Sequence, residues 1–242
     1  MLLTCLIAMS AVAPPLTVGD FFPLTPGIKR SYTYHSEDRD MQQDDEIGAP
    51  VKIGGKQATP VVTHTLGQSS RVSYVVDGDT VFLVAQGDRT LKTPVPIVKL
   101  GQPTVKWSYT QNSPVSLRKG LLNFTAEAKL VGKRRILGVD REILEVKTNG
   151  NSEKGDTVVR FTQTALYAAG VGLVEMTTEG TVIKETQKSK LTLVQFSAPS
   201  QNPEAGPRSR HNARWWHRWP AFRALNTYRK RNRAIRGESI SG

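Results

Sequence analysis

The feature that most constrains this chain is the stretch Thr157-Val-Val-Arg-Phe-Thr-Gln-Thr-Ala-Leu-Tyr-Ala-Ala-Gly-Val-Gly-Leu-Val-Glu-Met-Thr-Thr178. β-Branched and aromatic residues fill both arms and Ala169-Gly170-Val171-Gly172 supplies a bend, the pattern of a long β-hairpin. A two-residue period puts Val159, Phe161, Gln163, Ala165 and Tyr167 on one face and Val158, Arg160, Thr162, Thr164 and Leu166 on the other. A second hairpin is expected over residues 71–84. With Asp77-Gly78 as a two-residue turn, Tyr74 falls opposite Val81 and Val72 opposite Leu83, so these apolar side chains share a face. Strands are also expected at Lys29–His35, Phe124–Val131, Arg135–Ile136, Glu142–Lys147 and Val182–Phe196. No segment of the body sustains a 3.6-residue apolar period. The fold class is therefore mainly β, a curved antiparallel sheet, open barrel or sandwich of about ten strands, with a helix expected only near the C-terminus.

Three regions follow. Residues 1–19 read as a signal peptide or N-terminal anchor: Leu2–Ala13 is apolar and ends in Ala11-Val12-Ala13, a small-x-small cleavage pattern. Residues 20–197 form the antiparallel β domain. Residues 198–242 are a linker and basic tail, opening with Ser197-Ala-Pro-Ser-Gln-Asn-Pro-Glu-Ala-Gly-Pro207. The charge is divided the same way. The net formal charge is +12, but residues 1–197 hold 23 basic against 19 acidic side chains while the tail holds 10 against 2. Within the tail, Pro220 can open a helix that ends near Gly237. Trp215, Trp216 and Trp219 together with Arg223, Arg229, Lys230, Arg231 and Arg233 suit an anionic membrane surface or another polyanion. An exported chain makes nucleic acid the unlikelier partner.

Chemistry-bearing motifs are sparse. The single cysteine, Cys5, lies in the apolar leader, so the body has no disulfide and no thiolate metal site. The histidines, His35, His64, His211 and His217, show no metal-ligand spacing, and no serine sits in Gly-x-Ser-x-Gly. Ser36–Pro60 carries acids, Gln, Gly and Pro without apolar periodicity and reads as a mobile loop. Its Asp38, Asp40, Asp44, Asp45 and Glu46 match no calcium loop and are expected to be solvated. No cofactor, metal or catalytic group is expected, and the chain reads as a non-enzyme.

Two phrases suggest related halves: Pro23-Leu24-x-x-Gly27 leading to Ser31-Tyr32-Thr33, and Pro96-Ile97-x-x-x-Gly101 leading to Trp107-Ser108-Tyr109-Thr110. These phrases, with Phe22 before the first, and Tyr167-Ala-x-Gly-Val-Gly-x-Val174 resemble a large group of uncharacterised exported bacterial β-proteins. Arg30 stands where the first phrase of that group commonly has Trp. In fold the group looks like the periplasmic lipoprotein carriers (LolA/LolB-like), whose curved sheet holds acyl chains on its concave side. The resemblance implies a periplasmic or cell-envelope location and an apolar or envelope ligand, lipid or lipoprotein. Tyr32, Tyr34, Trp107 and Tyr109 would line the ligand face if it is concave. The other expectation is a structural or protein-interaction domain of the envelope with no pocket and a filled core around Trp107 and Tyr109.

Overall fold

The computed structural model describes residues 14–37, 39–101, 103–112, 121–154, 157–182 and 185–199. The apolar run up to residue 13 and the tail with its expected helix lie outside the described residues. The described residues form a one-turn helix α1 (Val18–Phe21) and the strands β1 (Lys29–Ser36), β2 (Arg39–Ile47), β3 (Val51–Ile53), β4 (Lys56–Thr65), β5 (Gln68–Asp77), β6 (Thr80–Gln86), β7 (Arg89–Lys99), β8 (Thr104–Asn112), β9 (Leu121–Ile136), β10 (Val139–Lys154), β11 (Thr157–Ala168), β12 (Gly172–Val182) and β13 (Glu185–Ser197). All pairings are antiparallel. The order across the sheet is β7-β6-β5-β4-β2-β1-β13-β12-β11-β10-β9-β8, with the short β3 attached to β4.

This order is two consecutive meanders laid end to end and bent into a nearly closed barrel. One meander is β1, β2, β4, β5, β6 and β7; the other is β8 to β13. The first strand of the first meander pairs with the last strand of the second, from Lys29 opposite Ser197 to Ser36 opposite Ser189. The complementary junction, β7 with β8, carries no ladder. The first phrase precedes β1, but Pro96 and Ile97 of the second lie within β7, the last strand of the first meander, with only its Gly101 between the strands.

Proline explains the unpaired junction. A hairpin continuing from Lys99 and Thr104 would set Pro96 against Trp107, and the Trp107 indole N–H does donate to the Pro96 carbonyl at 3.0 Å. In an antiparallel strand the N–H and C=O of one residue point to the same side. Pro96 therefore turns its acceptor towards β8 with no donor beside it, and Pro94, two residues earlier, repeats the defect.

The interior is packed from both halves. Ile47, Val61, Val72, Tyr74, Leu83, Val98, Trp107, Ala128, Val146 and Tyr167 belong to one buried cluster, which also takes Val18 and Phe21 of α1. The Phe22 ring lies 5.0 Å from Tyr74 on β5 and 5.8 Å from Tyr167 on β11, strands on opposite walls of the barrel. The stretch at Asp20–Gly27 is therefore a plug rather than a simple turn-rich lead-in. Asp20 accepts from the Thr17 backbone N–H at 2.7 Å and from its hydroxyl at 2.8 Å, the reciprocal half of a capping box.

Three expectations need correction. Ser36–Pro60 is not a loop but holds β2 and β3 and leads into β4. Met41, Gln43 and Ile47 of β2 face inward, and pairing with β1 and β4 overrides a polar composition. The β5–β6 turn is Gly78-Asp79, since Asp77 pairs with Thr80 and Val76 with Val81. Gly78 takes φ 59 at the first central position, as a type II′ turn requires. Tyr74 consequently faces Leu83, and Val72, Tyr74, Val81 and Leu83 are all still in the core. The strand number exceeds the expected count because the acidic segment is strand.

Restoring donors at the seam should close it. The double substitution Pro94→Thr, Pro96→Thr supplies two N–H groups, each bond worth about 1 kcal/mol. Hydrogen exchange should show both new amides protected and the unfolding temperature raised. Fast exchange at both positions would show that something other than the missing donors keeps the strands apart.

Candidate ligand-binding face

Following the register across the second meander shows which side chains share the inner face, because directly opposed residues lie on one side of a sheet. One row runs Tyr109, Phe124, Gly150, Phe161, Gly180, Gln187. The next runs Trp107, Ala126, Thr148, Gln163, Thr178, Ser189, Ser36. A third runs Val105, Ala128, Val146, Ala165, Met176, Leu191, Tyr34, Met41. Tyr32 follows two residues further in. All four aromatic residues expected at a ligand face are therefore on the inner face, but the fold does not gather them. Tyr32 and Tyr34 belong to one buried cluster and Trp107 and Tyr109 to another, six strands apart.

Their environments differ accordingly. Tyr32 is fully buried, its hydroxyl donates to the Leu173 carbonyl at 3.2 Å, and burial pushes its pKa well above the ordinary value. Tyr34 packs with Met41, Leu191 and Leu193. Trp107 is buried and engaged with Pro96. Tyr109 is only partly covered and lies flat on Phe124, centroids 4.9 Å apart and planes 9° apart; its hydroxyl is pushed up to about 12 by burial. Phe124 meets Phe161 edge-on at 6.3 Å.

The outer two rows are half-exposed and uncharged, made of Tyr109, Phe161, Thr148, Gln163, Gly180 and Ser189 around the buried Phe124, Trp107 and Thr178. β4 meets β2 only as far as Thr65 opposite Gln43, so β8 to β13 with β1 and β2 overhang the closed part as a trough. Glycines shape it. A Cβ at Gly150 would stand 2.6 Å from the Phe124 ring, whereas one at Gly180 would meet nothing within 4 Å. The convex side of the same strands is charged, with pairs such as Lys106–Glu127, Lys129–Glu145 and Lys188–Glu179. Phe124, Phe161, Gly150 and Gly180 were missed by sequence reasoning. The signal was glycine inside long strands, which marks a close approach.

A second polar feature sits deeper. Arg30 is buried, and its guanidinium donates to the Val171 carbonyl at 2.7 Å and the Pro23 carbonyl at 3.0 Å. Gly172 must be glycine beside it: φ is 96 and a Cβ would come within 2.8 Å of the guanidinium. Asp45, across the strand pair from Arg30, accepts from Thr63 at 2.8 Å and Gln43 at 3.3 Å. Burial raises the Asp45 pKa, partly offset by those hydrogen bonds and by Arg30. The buried Gln43 Oε1 has no partner. Asp40 instead contacts His35 at 2.7 Å in solvent. Among the described residues no three or more His, Cys, Asp or Glu converge as metal ligands. Trp215, Trp216, Trp219, Arg223, Arg229, Lys230, Arg231 and Arg233 lie outside the described residues.

Two predictions follow from this geometry. Gly150→Ala should destabilise the fold by about 1–3 kcal/mol through collision with Phe124, while Gly180→Ala stays near neutral; equal losses in denaturant titrations would refute the row. A raised carboxyl pKa means that ionised Asp45 weakens the fold, fully above its folded-state pKa and less as pH falls towards the unfolded value. Asp45→Asn should therefore be the more stable protein at neutral pH, with the advantage shrinking on acidification. A deficit at neutral pH that persists in acid would contradict the assignment.

No family model and no curated protein matches the chain. Two solved structures each align with 73% of this chain and 98% of their own at a TM-score of 0.39. One is described as an exported protein with a YmcC-like fold from Bacteroides fragilis, 8% identical. The other is described as a lipoprotein from Parabacteroides distasonis, 11% identical.

Proposed function

We propose that the chain is an exported, non-enzymatic β-domain of the cell envelope that holds an apolar ligand, the acyl portion of a lipid or lipoprotein, in the trough of its second meander. The observation that carries this reading is the row of half-exposed Tyr109 and Phe161 around the buried Phe124, in two outer rows of the inner face that carry no charge, beside a convex face that is charged. Apolar side chains left partly in water on a concave surface gain free energy when an apolar ligand covers them. Export rests on the apolar leader ending in Ala11-Val12-Ala13. Cleavage there would retain Val18 and Phe21, both core residues, whereas a cut after Gly19 would remove Val18. The tail, with its tryptophans and arginines, is assigned to contact with an anionic membrane surface.

One observation favours a structural or protein-interaction domain instead. Val18, Phe21 and Phe22 occupy the closed part of the barrel, which confines any ligand to the outer rows.

The test is titration of the full chain with cis-parinaric acid, whose fluorescence rises in an apolar site. Saturable binding is expected, and Phe161→Asp should weaken it by about tenfold or more, the equivalent of losing one buried aromatic contact. An absence of binding, or equal binding by the variant, would leave the interaction-domain reading.

A further inference from the structure

Two tight turns in this fold hold a leucine in the left-handed region: Leu66 at φ 49 before Gly67 at φ 70, and Leu137 at φ 48 before Gly138 at φ 85. Two successive positive φ values are the type I′ arrangement, where Asn, Asp or Gly ordinarily stands first and leucine is strained. Neither leucine gains packing in return, with exposures of 58% and 52%. The surroundings separate them. No Lys or Arg occurs between Thr63 and Ser70, whereas Lys133, Arg134 and Arg135 run directly up to Ile136-Leu137.

The second turn ends the β9–β10 hairpin, and Val139 is exposed beside it. Some of the nearby charge is already matched: Glu142 contacts Lys133 at 3.7 Å and Arg141 turns to the Ala169 carbonyl at 2.8 Å, while Asp140, opposite Arg135 in the ladder, forms no ion pair with it. Among the described residues neither Arg134 nor Arg135 has an ion pair. Both border a groove of about 180 Å³ floored by Ile136, Leu166, Val174 and Leu193. An apolar point with cations at its base is complementary to a bilayer whose phosphates lie just above its hydrocarbon.

We propose that the tip of the β9–β10 hairpin is a membrane-contact element, with Leu137 and Val139 entering the apolar layer of an anionic bilayer and Arg134 and Arg135 meeting its lipid phosphates. This contact belongs to the folded domain and is independent of both the trough and the tail. It gives the strained leucine a role that a hairpin alone does not need.

The test uses the full chain with Cys5 replaced by serine and one new cysteine, Leu137→Cys or Leu66→Cys, labelled with a nitrobenzoxadiazole fluorophore. Vesicles are phosphatidylglycerol with phosphatidylcholine, or phosphatidylcholine alone, and co-sedimentation measures binding in parallel. The expected result is a blue shift and a several-fold gain in intensity at position 137 on the anionic vesicles only, with none at position 66. Arg134→Glu with Arg135→Glu in the position-137 protein should abolish that gain even where the tail keeps the chain on the vesicles. The proposal is overturned by a bound chain whose position-137 label does not change, by equal changes at positions 66 and 137, by equal changes on neutral and anionic vesicles, or by no vesicle binding at all.

Discussion

The Arg30 guanidinium on β1 ties together the N-terminal segment and the turn between β11 and β12. The turn between β11 and β12 and the N-terminal segment before β1 each present a carbonyl, from Val171 and Pro23, to the space beside β1. A buried carbonyl without a donor costs as much as a lost hydrogen bond, and one planar cation answers both. Gly172 leaves room for it, and Gly170 N–H donates to the Asp20 carbonyl at 2.7 Å, fastening α1 to the same turn. Truncating Arg30 would leave the Val171 and Pro23 carbonyls without their donor, and a buried polar group left unpaired costs about 1–3 kcal/mol. A tryptophan at this position could fill the volume but could satisfy only one carbonyl.

The plug in turn fixes what the barrel can hold. Phe22 reaches both walls, so the part of the interior where all strands overlap is filled by protein. Where β8 to β13 outrun β4 and β5, the inner-face rows include half-exposed residues, Tyr109, Phe161, Thr148 and Gln163, all of them uncharged. The two junctions between the meanders differ in the same spirit. β1 with β13 is a ladder with one register shift at Ser31/Tyr32 that joins the two ends of the domain, a non-local pairing that must await both halves. β7 with β8, adjacent in sequence, relies on an indole hydrogen bond.

How much of this was legible depends on where the information resides. The β11–β12 hairpin was readable because its signal is local: β-branched arms and a glycine bend. β2 was not, because it alternates Met41, Gln43 and Asp45 inward with equally polar residues outward, and only its neighbours make it a strand. The β5–β6 turn was misplaced because both Asp77-Gly78 and Gly78-Asp79 fit the turn chemistry; the shift keeps the same residues on the core face, so the pattern could not choose. The aromatic row of the trough joins residues 109, 124 and 161 across three ladders, and sequence spacing carries no trace of such a contact. Tyr109 was found as one member of a stripe; Phe124 and Phe161 became its partners only once register was known.

The same register explains why the trough faces outward in chemistry as well as shape. On β8 to β13 the outer positions carry lysines and glutamates that neutralise one another in pairs, each exposed pair contributing only about 0–1 kcal/mol. Their value lies in keeping long, flat strands soluble on one side. Among the described residues the inner positions contain no such pairs, and the partly exposed Phe161 and Tyr109 gain nothing by remaining in water. A sheet that spends charge on its convex face and leaves aromatic rings uncovered on its concave one is asymmetric in the direction that favours capture of apolar matter from the barrel mouth. The filled core beneath sets the depth to which that matter can enter.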